Sequence, residues 1–150
     1  MQTIHASAVV IDGKGILILG KSGSGKSELA LDLIDQCALR GLSGQLIGDD
    51  RIVLTHKDFG VFASAPPSLA GLIEVRGSGI HKIEHTKEAR LFLAVRLVDP
   101  REAVRMPEEG EQEVAPDISL PCLTLPQGNF SALRVILARL GHYAGVLPHN

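Results

Sequence analysis

The chain has 150 residues, which suits one domain with a single core, and its 45% hydrophobic and 21% charged residues exclude a disordered chain. A formal net charge of −2 gives no electrostatic basis for binding nucleic acid or an anionic membrane surface. No apolar run reaches membrane-spanning length, so we expect a cytoplasmic protein without nucleic-acid or membrane partners.

The first predicted elements are two strands and a helix. Residues 4–11 alternate and are rich in β-branched side chains, which predicts a strand, and Asp12-Gly13 then favours a tight hairpin. Residues 15–19 form a short apolar run typical of a strand buried on both faces. Residues 26–40 carry apolar side chains at three- and four-residue spacing, which predicts a helix that Gly41 ends.

The second half of the chain contains further strands and a final helix. We expect strands at residues 61–63 and 90–98, and a helix at about residues 130–140. Residues 107–119 contain two prolines and five acidic side chains and are predicted to be an exposed loop. Strands interleaved with helices predict an α/β sheet domain.

A complete phosphate-binding motif, G-x-x-x-x-G-K-S, lies between the second strand and the first helix. Its glycines allow successive backbone N–H groups to face one anion, and the helix N-terminus adds a partial positive charge. Lys26 would reach the β- and γ-phosphates of ATP or GTP, and Ser27 would offer its hydroxyl to Mg²⁺. The motif comprises Gly20, Lys21, Ser22, Gly23, Ser24, Gly25, Lys26 and Ser27.

An acidic pair, Asp49-Asp50, follows a short apolar run, so we expect its carboxylates at a strand end, where α/β sheets bind ligands. One carboxylate would accept the proton of an attacking hydroxyl, and the other would orient that group or bind Mg²⁺ through water. Asp99 is a rival because it follows an apolar strand, as the metal-binding aspartate of many nucleotide-binding proteins does. The residues alone do not choose between Asp50 and Asp99.

A third pattern covers residues 74–80, Glu-Val-Arg-Gly-Ser-Gly-Ile. Glu74 and Arg76 lie two apart in extended chain and therefore on the same side, before a glycine-rich turn. This arrangement suits a metal-binding carboxylate beside a phosphate-binding cation, or an exposed ion pair on a hairpin. His5 precedes the first strand, where a lone histidine is usually an ordinary surface residue.

Together these pieces resemble the HPr kinase/phosphorylase family. The catalytic domain of that family opens with a histidine, here His5, ahead of a phosphate loop G-x-S-G-x-G-K-S-E, here residues 20–28. A segment ending in paired aspartates follows, here residues 46–50, and then a signature close to E-[IV]-R-G-x-G-I, here residues 74–80. Three motifs in the family's order over residues 4–83 make the match specific.

The resemblance implies a P-loop sheet domain similar to the phosphoenolpyruvate carboxykinase-like HPr kinase fold. It implies an enzyme that uses ATP and Mg²⁺ to phosphorylate a serine of HPr, the phosphocarrier protein of the sugar phosphotransferase system, or of its nitrogen-branch paralogue. Family members are typically hexamers. Residues 1–150 are expected to form a single catalytic domain, without the N-terminal regulatory domain of longer members.

The resemblance also implies roles for individual residues. Asp50 would accept the proton of the target serine, with His5 and Lys26 as further active-site groups. Ser27 and Glu74 would hold Mg²⁺. Arg105, in Val-Arg-Met-Pro, stands where the family has an active-site arginine.

The family also runs the reverse reaction, in which inorganic phosphate attacks phosphoserine and releases pyrophosphate. A late motif similar to P-G-R-N serves dephosphorylation in the family. It stands here as Pro-Gln-Gly-Asn at residues 126–129, without its arginine. The sequence therefore predicts the kinase reaction and leaves the phosphorylase reaction undecided.

Two alternatives use the same phosphate loop. A P-loop ATPase or small-molecule kinase would need no protein acceptor, with Asp99 as its metal-binding aspartate. A nucleotide-dependent sensor would bind ATP and a partner without turnover. Neither has a reason to carry the signature at residues 74–80.

Overall fold

The computed structural model describes residues 1–103, 110–128 and 131–141. Within these residues, no helix is both long and apolar enough to cross a membrane. The elements, in chain order, are β1 (Gln2–Ile4), β2 (Ser7–Ile11), β3 (Lys14–Gly20), α1 (Lys26–Leu39), β4 (Gly44–Gly48), β5 (Ile52–Lys57), β6 (Gly60–Ser64), a 3₁₀ turn (Pro67–Leu69), β7 (Leu72–Val75), β8 (Gly79–Lys82), β9 (Ala89–Val98), α2 (Pro100–Ala103), β10 (Gly110–Ala115), β11 (Ile118–Pro126) and α3 (Ser131–Arg139).

Nine of these strands form one mixed sheet. Seven follow the order β1-β5-β6-β9-β3-β2-β4, while β11 pairs with β9 and β10 pairs with β11. The long strand β9 lies parallel to β3 on one side and to β11 on the other. Strands β7 and β8 form a separate antiparallel hairpin.

Each face of the central strands carries its own apolar core. One core joins residues of α1 and α3, such as Leu33 and Ile136, to Ile18 and Val95 of the sheet. The other lies on the opposite face, where Leu17 and Ala94 pack with residues of β5, β6 and β11. The alternation of β3 between the two cores explains why residues 15–19 are apolar throughout.

The three parallel strands bring their carboxyl ends to one edge. Gly20 ends β3, Val98 ends β9 and Pro126 ends β11. The backbone N–H of Gln127 donates to the carbonyl of Val98 at 2.8 Å, which keeps these ends together. The segment between β3 and α1 begins at this edge, so the topology places the glycine loop where α/β sheets bind ligands.

Most of the predicted elements are confirmed. The hairpin at Asp12-Gly13 has both residues at positive φ, 47° and 80°, and pairs Ile11 with Lys14. The helix predicted at residues 26–40 is α1. Its last turn closes through Leu42, whose N–H donates to the carbonyl of Cys37 at 2.8 Å.

Two predictions are wrong. The strand expected at residues 4–11 is broken at His5-Ala6, because β1 pairs with β5 whereas β2 pairs with β3 and β4. The loop expected at residues 107–119 contains β10 and the start of β11. Strand β10 pairs with β11, and its acidic side chains are exposed. These side chains therefore stay hydrated and do not destabilise the strand. Residues 107–109 of that predicted loop lie outside the described part.

Candidate active site

The glycine loop joins the end of β3 to the start of α1. Gly23 and Gly25 have φ values of 81° and 96°, a left-handed conformation that glycine adopts without steric cost. Gly25 caps α1 without a side-chain hydrogen bond. The first N–H groups of a helix have no acceptor within the helix, so the loop presents donors and a positive dipole end to an anion.

Lys26 extends across the loop from the first position of α1. Its buried ammonium donates to the carbonyls of Gly20 at 2.9 Å and Lys21 at 3.0 Å. Burial lowers the pKa of Lys26, and the negative charges of Asp50 and Asp49 oppose that shift. The lysine therefore lies at the mouth of the loop, and a phosphate would offer it stronger, charged acceptors than these carbonyls.

Asp49 is the buried member of the acidic pair and is held by three donors. Its Oδ1 accepts hydrogen bonds from the hydroxyls of Ser7 at 2.6 Å and Ser27 at 2.7 Å. Its Oδ2 accepts one from the backbone N–H of Glu74 at 3.3 Å. Asp49 thus links β2, the phosphate loop and β7 through one carboxylate.

Asp50 turns the other way. Its φ is 70°, a conformation that aspartate tolerates better than most residues, and its side chain is exposed. The Oδ1 of Asp50 lies 2.7 Å from Nε2 of His5, and about half of each side chain remains accessible. The interruption between β1 and β2 brings His5 to this position, because Ala6 donates its N–H to the carbonyl of Asp50 at 3.2 Å.

These groups meet around one polar cavity of about 130 Å³, called here the phosphate cavity. Its walls combine backbone donors of the loop, two cationic side chains and the exposed acid–histidine pair. It is lined by His5, Ser7, Ser22, Gly23, Gly25, Lys26, Ser27, Glu28, Asp50, Glu74 and Arg76.

Oxygen ligands for a divalent cation lie on one side of this cavity. Mg²⁺ binds through few protein oxygens and completes its shell with phosphates and water. The hydroxyl of Ser27 and the carboxylate of Glu74 could supply such ligands, with Asp49 orienting Ser27. No group of three or more His, Cys, Asp or Glu side chains suited to a metal occurs among the described residues.

Residues 1–137 match the family described as HPr Serine kinase C-terminal domain. The chain belongs to this family. The resemblance seen in the three sequence motifs is therefore confirmed.

Curated relatives carry the same family name. The HPr kinase/phosphorylase of Mycoplasma mycoides is 44% identical over 105 residues, which are 65% of this chain and 32% of that protein. HPr kinase/phosphorylase 1 of Oceanobacillus iheyensis is 30% identical over 145 residues, 89% of this chain and 45% of that protein. The chain thus spans less than half the length of these relatives.

A solved structure, titled as the Hpr(Ser) kinase/phosphatase from Coxiella burnetii, superimposes with a TM-score of 0.74. It is 32% identical in sequence, and the match covers 94% of this chain and 96% of that one. The predicted fold class, an α/β P-loop sheet domain of the HPr kinase type, is confirmed.

Residues from all three sequence motifs line one cavity in this domain, with differences in detail. Gly20 and Lys21 lie at the edge of the phosphate cavity, where their carbonyls accept from Lys26. Ser24 lines a neighbouring cavity instead. Arg105 lies outside the described residues, as does Asn129 of the late motif.

Asp99, the rival to Asp50, does not line the phosphate cavity. Its Oδ1 accepts hydrogen bonds from the backbone N–H of Arg101 at 2.9 Å and from that residue's Nε at 3.1 Å. These bonds lower the pKa of Asp99. Its contacts are those of a residue that begins the short helix α2.

Two lining residues were not assigned as site residues from the sequence. Ser7 is fully buried in β2, and a polar residue between Ala6 and Ala8 in an apolar strand was the available signal. Glu28 follows the motif directly, and its Oε1 lies 3.5 Å from Nε of Arg76. That ion pair connects the start of α1 to the signature at residues 74–80, the β7–β8 hairpin.

Proposed function

We propose that this chain is an ATP-dependent kinase that phosphorylates a serine of an HPr-type phosphocarrier protein. The observation that carries the proposal is the shared cavity. The exposed Asp50–His5 pair and the phosphate-binding Lys26 line the same space of about 130 Å³. A proton acceptor beside a phosphate site is what transfer to an alcohol requires.

The transfer follows from this geometry. The acceptor's hydroxyl oxygen attacks the γ-phosphorus as its proton passes to the carboxylate of Asp50, and the bond to the bridging oxygen of ADP breaks. His5, within hydrogen-bond distance of Asp50, orients that carboxylate and shares its charge. Lys26 and the N–H groups of the loop stabilise charge on the transferred phosphoryl group.

Magnesium belongs to the same proposal. Ser27 and Glu74 would hold the ion, and the ion would neutralise phosphate charge during transfer. Asp49 has a positioning role, because its carboxylate accepts a hydrogen bond from the Ser27 hydroxyl and so leaves that oxygen's lone pairs for the ion.

The proposal extends to the organisation expected from the family. Residues 1–150 would act as one catalytic domain of a cytoplasmic homo-oligomer, a hexamer by family resemblance. The names of the relatives, which combine kinase with phosphorylase or phosphatase, support testing the reverse reaction as well.

The test is transfer of label from γ-labelled ATP to purified HPr-type proteins, followed by identification of the labelled residue. We expect label on a serine. Asp50→Asn should slow transfer by about 10²–10⁴-fold, the usual contribution of a general base. It should change the affinity for ATP by no more than about threefold, because asparagine keeps the size of the side chain at this exposed position.

Asp99→Asn is the matched control, because it alters the rival aspartate. It should slow transfer by no more than about tenfold, far less than Asp50→Asn, since Asp99 bonds to Arg101 and lines the cavity beside Gly20 and Lys21 but not the phosphate cavity. An inactive Asp99→Asn with an active Asp50→Asn would contradict the assignment of the base. Label released only as free phosphate, with or without HPr, would favour the ATPase alternative.

A further inference from the structure

A second cavity, larger than the phosphate cavity and adjoining it, lies beside the start of α1. Its volume is about 490 Å³, within the range of about 300–1,000 Å³ typical of small-molecule sites. Gly23, Gly25, Glu28 and Arg76 line both cavities. A ligand bound by its phosphates in the smaller cavity could therefore extend directly into the larger one.

The direction of a bound triphosphate follows from Lys26. A lysine of this motif reaches the β- and γ-phosphates, and here its ammonium lies at the carbonyls of Gly20 and Lys21. The γ-phosphate end is therefore at the first half of the loop. The opposite end of the chain of phosphates lies towards Glu28 and the first turn of α1, which is where the larger cavity begins.

A third cavity, of about 480 Å³, lies at the other end of the loop. Gly20 and Lys21 line it together with His5, the partner of Asp50. A space at the γ-phosphate end, beside the proton-accepting Asp50, would hold the alcohol that receives the phosphoryl group. The cavity at α1, at the opposite end of the loop, is therefore the better placed of the two for the nucleoside part of the nucleotide.

The walls of the α1 cavity suit an aromatic base. Its apolar surface comes from the carboxyl ends of β9 and β11 and from the facing sides of α1 and α3: Leu29, Leu97, Pro126 and Leu133. Apolar walls favour an apolar ring system, while a few polar groups select its edge.

Asp32 is the acidic group at this cavity, one turn along α1 from Glu28. Partial burial and the neighbouring charges of Asp35 and Glu28 raise the pKa of Asp32. A carboxylate in such surroundings gains from an N–H donor. The exocyclic amino group of adenine, and the N–H groups of guanine, supply donors on the edge of a purine.

We propose that the α1 cavity binds the purine base of the nucleotide and that Asp32 recognises an N–H group on its edge. This inference rests on the proposed function, since it assumes that the triphosphate lies in the glycine loop. It adds the location of the base and a residue that determines specificity.

The experiment compares MgATP with inorganic triphosphate and Mg²⁺, which lacks the base, by titration calorimetry on the full chain. Asp32→Ala should weaken ATP binding by about five- to tenfold, because a hydrogen bond to a charged group is lost. Leu133→Trp should weaken ATP binding by about tenfold or more by filling the cavity. Both variants should bind inorganic triphosphate as the wild type does.

Matched controls lie on the same helices. Asp35→Ala removes a carboxylate of α1 that does not line the cavity, and Val135→Trp places the same bulky side chain at an exposed position of α3. Both should bind ATP and inorganic triphosphate like the wild type. Repeating the series with GTP identifies which purine edge Asp32 prefers.

The outcomes separate the two proposals. Unchanged ATP binding in both cavity variants, or an equal loss of ATP and inorganic triphosphate, would overturn the placement of the base while leaving the phosphate site intact. A wild-type chain that binds neither ligand would overturn the phosphate site itself, and the base site with it.

Discussion

Asp49 and Asp50 are identical neighbours in sequence, yet the structure places them in opposite surroundings. Asp49 is 7% exposed and accepts hydrogen bonds from two hydroxyls and a backbone N–H. Asp50 is largely accessible and contacts His5. The buried carboxylate joins three elements, whereas the exposed one is free to meet a substrate.

The backbone causes this division. Asp50 has a φ of 70°, and the N–H of Arg51 donates to the carbonyl of Asp49 at 2.8 Å, which closes a tight turn between β4 and β5. The turn directs one side chain into the protein and the next into the cavity. A carboxylate held by hydrogen bonds and an accessible one thus lie side by side near the same cavity, whereas a regular strand would point the two side chains to opposite faces of the sheet.

The largest effect expected from this comparison is on stability. Asp49→Ala should lower the free energy of unfolding by about 2–4 kcal/mol, because the hydroxyls of buried Ser7 and half-buried Ser27 lose their charged acceptor. Denaturant titration followed by circular dichroism measures the change. Asp50→Asn should change it by less than about 0.5 kcal/mol, since the site is exposed and asparagine tolerates positive φ. Equal losses in the two variants would remove the distinction between them.

A smaller effect tests whether Ser7 acts through Asp49. Ser7→Ala should cost about 1–2 kcal/mol of unfolding free energy, because a hydrogen bond to a charged group is lost from a buried strand. In a chain that already carries Asp49→Ala, the same change should cost about 0.5 kcal/mol or less, since the shared bond is gone. A double-mutant cycle measures the coupling, and additive costs would show that Ser7 contributes by packing alone.

The smallest effect concerns Asp32, a carboxylate whose pKa is raised by partial burial and by nearby Asp35 and Glu28. A raised pKa in the folded state means that the folded chain holds the proton more tightly, so stability falls as pH rises through that range. Asp32→Asn removes this penalty, and at pH 7 the melting temperature should rise by about 1–2 °C, a modest gain because the side chain is well solvated.

The control for Asp32→Asn is pH itself. At about pH 3 the carboxyl is protonated in both the folded and unfolded wild type, so the two proteins should melt together. If the variant still melted at a higher temperature than the wild type at low pH, helix propensity or packing, rather than charge, would be responsible.

Much of the site was predictable because it is local. The glycine loop is a continuous strand–loop–helix segment, so its shape follows from glycines at positions needing positive φ and from the apolar periods on either side. The paired aspartates and the hairpin at residues 74–80 were likewise visible as short patterns. Their assembly into one cavity was expected only through the family resemblance.

Other features were not predictable from local patterns. Strand β10 has the composition of a loop, and it is a strand because β11 supplies hydrogen bonds along its length. The break at His5 arises because β1 and β2 have different partners, which no alternation of side chains in residues 4–11 reveals.

The sequence by itself determined that an anion-binding loop lies between a buried strand and an amphipathic helix, since backbone preferences and hydrophobic period act within a few residues. Only the tertiary structure decided which aspartate is buried, that Ser7 holds it, and that an apolar cavity with Asp32 adjoins the phosphate cavity. Those properties come from contacts between residues 20 to 100 positions apart, such as Ser7 with Asp49 and Leu29 with Pro126 around one cavity. Chain folding brings such residues together, and their spacing in the sequence carries no trace of it.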